Sequence, residues 1–136
     1  MAVRKVSYVD LKVPSRAGQA AQVLGALEDA GVDLLAFTGF PHQGGKSQID
    51  LVTNDLAAVR RVARQEDWRI GKRKRGFLIQ GRNRVGAVHA QLRKLAEQRI
   101  NVTAVDALAA GKGQYGMILW VKPKDYARAS RALRAR

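Results

Sequence analysis

The sequence predicts an α+β protein made of two tandem copies of one βαββα unit. Three observations predict it. The chain repeats itself at an offset of 68 residues, its apolar spacing alternates between the period of a strand and that of a helix, and glycines recur at matching places in both copies. With no gap, Val9 falls on Phe77, Leu11 on Ile79, Arg16 on Arg84 and Gly18 on Gly86. Leu24 then meets Leu92, Leu27 meets Leu95, Val32 meets Ile100, and Leu34 meets Val102. Gly45 meets Gly113, Ile49 meets Met117, Leu51 meets Leu119, and Thr53 meets Val121. Past that point the offset becomes 70, pairing Asp55 with Asp125, Leu56 with Tyr126 and Ala63 with Leu133.

Each copy opens with an alternating run, the mark of a half-buried strand. In the first copy Val6 and Tyr8 hold one phase and Val9, Leu11 and Val13 the other; Phe77 and Ile79 are the counterpart. Ser15 and Asn83 follow as expected helix N-caps, since their side-chain oxygens can accept from free first-turn amides. Ala17, Ala20, Leu24 and Leu27, and likewise Val85, Val88, Leu92 and Leu95, predict one apolar face on each helix. Gly31 ends the first helix. Strands are predicted at 33–40 and 101–108, glycine-rich turns at 41–45 and 110–113, and third strands at 47–53 and 115–122. Asp55 and Asp125 start the second helices. A fourth strand is available at 68–74 in the first copy and has no counterpart in the second. The expected units are therefore residues 1–75 and 76–136, the second lacking a final strand. Its open edge calls for cover from the first copy or from another chain.

Composition narrows the function. With 46% hydrophobic residues the chain can bury a core. It has no cysteine, which excludes a disulfide framework, thiolate catalysis and cysteine metal sites, and fits a reducing cytosol. The first dozen residues form no apolar signal core, and no run approaches the roughly 18 apolar residues of a membrane span. The 25 basic and 11 acidic residues leave a net charge of +14, which bears on partners and solubility.

The strand–helix loops Ser15-Arg16-Ala17-Gly18 and Asn83-Arg84-Val85-Gly86 resemble those of tandem ACT domains, as do Ala30-Gly31-Val32-Asp33-Leu34 and Arg99-Ile100-Asn101-Val102. The usual proline before the glycine is replaced by Ala17 and Val85. The resemblance implies ferredoxin-like units with antiparallel sheets and helices on one face. It implies a non-catalytic regulatory protein that binds a small ligand, typically an amino acid, near the first strand–helix loop and between units. The residues it nominates are Asn83, Arg84, Val85, Gly86, Asn101, Ser15, Arg16, Ala17, Gly18 and Asp33. The placement makes chemical sense, because free amides at a helix N-terminus attract a carboxylate. Asn83 is favoured over Ser15 because an amide both donates and accepts. A purely structural role for the same residues is capping by Ser15 and Asn83, and close helix packing at Gly18 and Gly86.

No catalytic constellation can be assembled. His42 lies in a glycine-rich turn and His89 on a helix, neither with metal-ligating company, and Gly111-Lys112-Gly113 lacks the Ser or Thr of a phosphate-binding loop. No cofactor and no metal are expected. The rival to a ligand sensor is a nucleic-acid or acidic-partner module using the basic segment 60–75, above all Lys72, Arg73, Lys74 and Arg75. An RNA-recognition sheet shares the strand order but needs exposed aromatics on its first and third strands. Gln114 and Gly116 stand where those aromatics belong, and Phe77 shares a face with Ile79. The expected partners are thus an amino-acid-like ligand, a second copy of the chain in a homodimer or higher oligomer, and a metabolic enzyme as the regulated target.

Overall fold

The computed structural model describes residues 2–136. Its elements are β1 (Ala2–Pro14), α1 (Gln19–Asp29), β2 (Ala36–His42), β3 (Lys46–Val52), α2 (Leu56–Glu66), β4 (Lys74–Arg82), α3 (Ala87–Glu97), β5 (Val102–Gly111), β6 (Gln114–Val121), a 3-10 turn (Pro123–Asp125) and α4 (Tyr126–Leu133). The chain is α+β, and each repeat has the ferredoxin-like order with antiparallel β1–β3, β2–β3, β4–β6 and β5–β6 pairs. By contacts it forms two units. One is Ser7–Lys74; the other joins the chain up to Val6 to Arg75–Arg136.

In the Ser7–Lys74 unit the strand order is β2-β3-β1. Val9 pairs with Leu51 and Leu11 with Ile49, so alternation sends these apolar residues to one face. There they meet Val23 and Leu27 of α1 and Val59 and Val62 of α2. The α1 stripe differs from the one expected. Val23 and Leu27 are buried while Ala17 and Ala20 are exposed, because the helix begins only at Gln19. The second helix starts as expected: an Asp55 carboxylate oxygen accepts from the Ala58 amide at 3.1 Å.

In the other unit β4, β6 and β5 follow one another. Phe77, Ile79, Met117 and Leu119 are packed against Leu95 of α3 and Tyr126, Ala129 and Leu133 of α4. The Phe77 and Tyr126 rings stack at 4.9 Å with an interplanar angle of 15°. On α3, Val85 lies outside the helix and is fully exposed; Ala87, Gln91 and Leu95 are buried instead, with Val88 and Leu92 partly so.

The strand expected at 68–74 does not form. The 68–74 segment forms only a single bridge, Ile70 to Leu11, with the Gly71 amide donating to the Asp10 carbonyl at 2.8 Å. Glycine offers a strand interior no side chain to pack, and any Cβ at Gly71 would collide with the Asp10 carboxylate. The second repeat, by contrast, gains chain at its edge. Val3 joins its core, and Arg136 closes on the N-terminal end of β1: its amide donates to the Val3 carbonyl and its carbonyl accepts from the Lys5 amide, both at 2.9 Å. The phase change along β1 between Val6 and Val9 falls where the strand passes from one unit to the other. Among the described residues no helix is long and apolar enough to cross a membrane.

Candidate ligand site

Gly18 and Gly86 both take up the left-handed conformation, at φ of 88° and 81°, and each occupies the N-cap position of its helix. That conformation favours glycine, and glycine brings no side chain to cap with, so α1 and α3 begin with no side-chain cap. Ser15 and Asn83 are therefore not the N-caps expected of them. They stand farther back, and their amides donate to the hairpin tips: Ser15 to the Gly45 carbonyl at 2.9 Å, Asn83 to the Gly113 carbonyl at 2.8 Å. Neither side chain has a hydrogen-bond partner among the described residues. Nor do the glycines serve close packing, since a Cβ at Gly18 or Gly86 would meet nothing within 4 Å. Both roles thus fall away, leaving two tethered loops without side-chain caps, in which the first helical amides, of Gln19 and Ala87, donate back to the Arg16 and Arg84 carbonyls at 3.3 and 3.1 Å.

At the first loop lies a cleft of about 440 Å³. Ser15, Arg16 and Ala17 form one side, Gln19 and Ala20 the start of α1, and Phe37, Gly39, Phe40 and Pro41 the β2 wall. Val13, Ser47 and Ile49 complete the floor. The strand register explains the grouping. Gly39 pairs with Ile49 and Pro41 with Ser47, while Val13 pairs with Ser47, so all share the helix-facing side of their strands. Gly39 leaves the middle of the wall open; its backbone is ordinary, and a Cβ there would have only the Gln48 carbonyl oxygen within 4 Å, at 3.9 Å. The lining holds one guanidinium, two hydroxyls and an amide, with no carboxylate. Such a surface suits a small molecule with an anionic end and an apolar body. Phe37, paired with Leu51, shares that helix-facing side and its ring suits an ammonium group, whereas Phe40, paired with Gln48, is on the opposite phase of β2.

Gly18 borders this cleft without lining it. Asp33 does not join it. Ala36 pairs with Val52, which pairs with Tyr8, whereas the loop leaves β1 at Pro14. At about 3.3 Å per residue the two ends of the sheet are some 20 Å apart. Asp33 is exposed at the far end, its carbonyl accepting from the Thr53 hydroxyl at 2.6 Å. Asn101 repeats the arrangement: Val102 pairs with Val121, while Asn83 follows Arg82, which pairs with Gln114 at the opposite end of β6. Asn83, Arg84, Val85 and Gly86 are all exposed. Sequence reasoning passed over Phe37, Gly39 and Phe40; the signal was a pair of phenylalanines in a strand at the sheet edge, where aromatics have no core to fill.

The basic run at 72–75 is largely engaged within the protein. Arg73 Nε donates to the Ser7 hydroxyl at 3.0 Å, Lys74 Nζ is 3.5 Å from an Asp10 carboxylate oxygen, and the Arg75 guanidinium is 4.0 Å above the Tyr126 ring centre. Lys72 is exposed. His42 and His89 are both exposed, and no cluster of metal-ligating side chains occurs among the described residues.

No protein-family model matches the chain, and no curated protein matches it. Solved structures do. The chain is similar to protein BT0572 from Bacteroides thetaiotaomicron, with a TM-score of 0.79 at 12% identity over 97% of this chain and 88% of that one. It is similar to the regulatory subunits of aspartate kinase from Thermus thermophilus and Thermus flavus, with TM-scores of 0.64 and 0.60, each at 17% identity over 98% of this chain and 95% of theirs. Each repeat has an ACT-type fold. At these identities the likeness describes architecture: two ACT-type repeats, each presenting a strand–helix loop closed by a left-handed glycine.

Proposed function

We propose that the protein is a non-catalytic regulatory module that binds a small zwitterion, an amino acid, in the cleft beside Ser15–Gly18. The observation that carries this reading is the cleft itself: Arg16 and the uncapped start of α1 on one side, an aromatic β2 wall on the other, and no carboxylate between them. A ligand carboxylate is favoured at such a helix start. The ammonium finds hydroxyl and amide oxygens from Ser15, Ser47 and Gln19, and the ligand side chain finds Phe37 on the β2 wall. The regulatory subunits that share the fold support the assignment to regulation. Output then passes through a second copy of the chain or through a metabolic enzyme, with the exposed edge strands β2 and β5 as the pairing surfaces.

A thermal-shift screen against the twenty amino acids tests this. A ligand specific to the folded state stabilises it by about 2.7 kcal/mol at 100 times its dissociation constant, a shift of several degrees for a chain of this size. One or a few amino acids should give that shift, and Gly39→Val, which fills the cleft, and Arg16→Ala should each remove it. Loss of the shift in Asn83→Ala but not in Arg16→Ala would move the site to the second loop. Silence from every amino acid would sink the reading.

A further inference from the structure

The charge on α2 is arranged differently from the tied run at 72–75. Arg60 and Arg64 stand one helical turn apart on the same side of α2, and Arg69 follows just beyond the helix. The three line a second cleft, of about 440 Å³, together with Ala63, Trp68 and Ile70. No carboxylate lines it, and among the described residues none of the three guanidinia forms an ion pair. The nearest acids in sequence, Glu66 and Asp67, line an adjoining cleft that shares Trp68, Arg69 and Ile70 with this one. Like charges a turn apart repel, and the second copy does not repeat the pair: at the offset of 70 Arg64 falls on Arg134 but Arg60 falls on Ser130. Trp68 packs only partly into the core, which leaves part of its indole on the cleft.

From this we infer that the α2 cleft is a nucleotide-binding site, with Arg60, Arg64 and Arg69 holding phosphate and Trp68 stacking on the base. Guanidinia match phosphate oxygens through paired N–H donors, and an aromatic face accepts any base. The net charge of +14 favours approach of such anions from a distance. The site is separate from the proposed amino-acid cleft and does not depend on it. A free nucleotide and a single-stranded nucleic acid offer the same chemistry, so the experiment must separate them.

Binding of a labelled short oligothymidylate, of AMP and of inorganic phosphate should be measured over a salt series with the intact chain. Arg60→Ala with Arg64→Ala should weaken nucleotide binding about tenfold or more, and for the oligonucleotide should flatten the salt dependence by about 1.4 logarithmic units. The control pair Arg131→Ala with Arg134→Ala, in the last turn of α4 and at its C-cap, should change affinity less than about threefold. Trp68→Leu, which keeps an apolar side chain against the core, should weaken oligonucleotide and AMP but not phosphate. Tight binding of AMP equal to that of the oligonucleotide identifies a free nucleotide as the ligand; binding of the oligonucleotide alone identifies single strands. Equal losses in the two arginine pairs would mean that diffuse charge does the binding and would overturn the site. So would indifference to Trp68→Leu, or no binding of any probe at low salt.

Discussion

Asp10 lies directly opposite Asp50 in the β1–β3 ladder, and both carboxylates are buried. Like charges facing each other across a sheet repel. Their neighbours offset this. Asp50 accepts from the Thr38 hydroxyl at 3.0 Å and from the Gln48 amide at 3.2 Å, and Asp10 has Lys12 and Lys74 ammonium groups at 3.6 and 3.5 Å.

The pair should therefore respond unequally to two kinds of change. Asp50→Asn removes the repulsion and keeps an acceptor, so urea denaturation should find stability within about 1 kcal/mol of the parent. Lys12→Met with Lys74→Met leaves a buried carboxylate uncompensated and should cost about 1–3 kcal/mol. Equal effects would mean that the lysines are merely solvated neighbours.

Gly71 meets the same carboxylate from the other side, since a Cβ there would run into Asp10. Gly71→Ala should destabilise by about 1–3 kcal/mol. In the Asp10→Ala background the added penalty should largely vanish. A double-mutant cycle measures that coupling, and additive costs would refute the contact.

Tyr8 gives the fold an alkaline limit. Burial, and then the charges of Asp50 and Asp10, push the Tyr8 phenol well above the ordinary tyrosine range. The folded state thus holds this proton more tightly than the unfolded chain does. Its contribution is complete below about pH 10, the unfolded value, and is lost as pH rises toward the folded value. Thermal stability measured between neutral pH and about pH 11 should fall at the alkaline end, and less steeply in Tyr8→Phe. An unchanged slope would show that other groups carry the loss.

Glycines within and before α1 should respond with opposite signs. Gly18→Ala forces a side chain into the left-handed region and should cost about 1–2 kcal/mol, as should Gly86→Ala. Gly25 lies in the α1 interior, where a Cβ meets nothing within 4 Å, so Gly25→Ala should stabilise by about 0.5–1 kcal/mol. Chemical denaturation of the three variants decides it.

Much of this architecture was legible because the duplication preserved local physics. Gly18 and Gly86 share one backbone state, Ser15 and Asn83 share one hydrogen bond, and Leu27 and Leu95 share one buried position. What escaped was set by partners distant in sequence. Local pattern made Ser15 and Asn83 look like caps, but tethering to Gly45 and Gly113 places the helix start at the glycines instead. Trp68–Lys74 has the composition of a strand, yet the Asp10 carboxylate against Gly71 and the lysine it draws leave a single bridge. The β2 wall of the cleft was missed for a related reason: Phe37 and Phe40 are exposed edge residues, and exposure does not announce itself in hydrophobic periodicity.

The division of β1 between two units has a kinetic corollary. Ser7–Lys74 is contiguous, so its sheet and helices can condense from neighbouring chain. The other unit is discontinuous: the backbone bonds linking Arg136 to Val3 and Lys5 close a loop that encloses the whole of the first. Such long closures are entropically the slowest to make. The first repeat is in effect an insertion within the second, and its early condensation would bring the second unit's distant ends closer together. Refolding should accordingly show Trp68 acquiring its native environment before protection of the Lys5 and Arg136 amides develops.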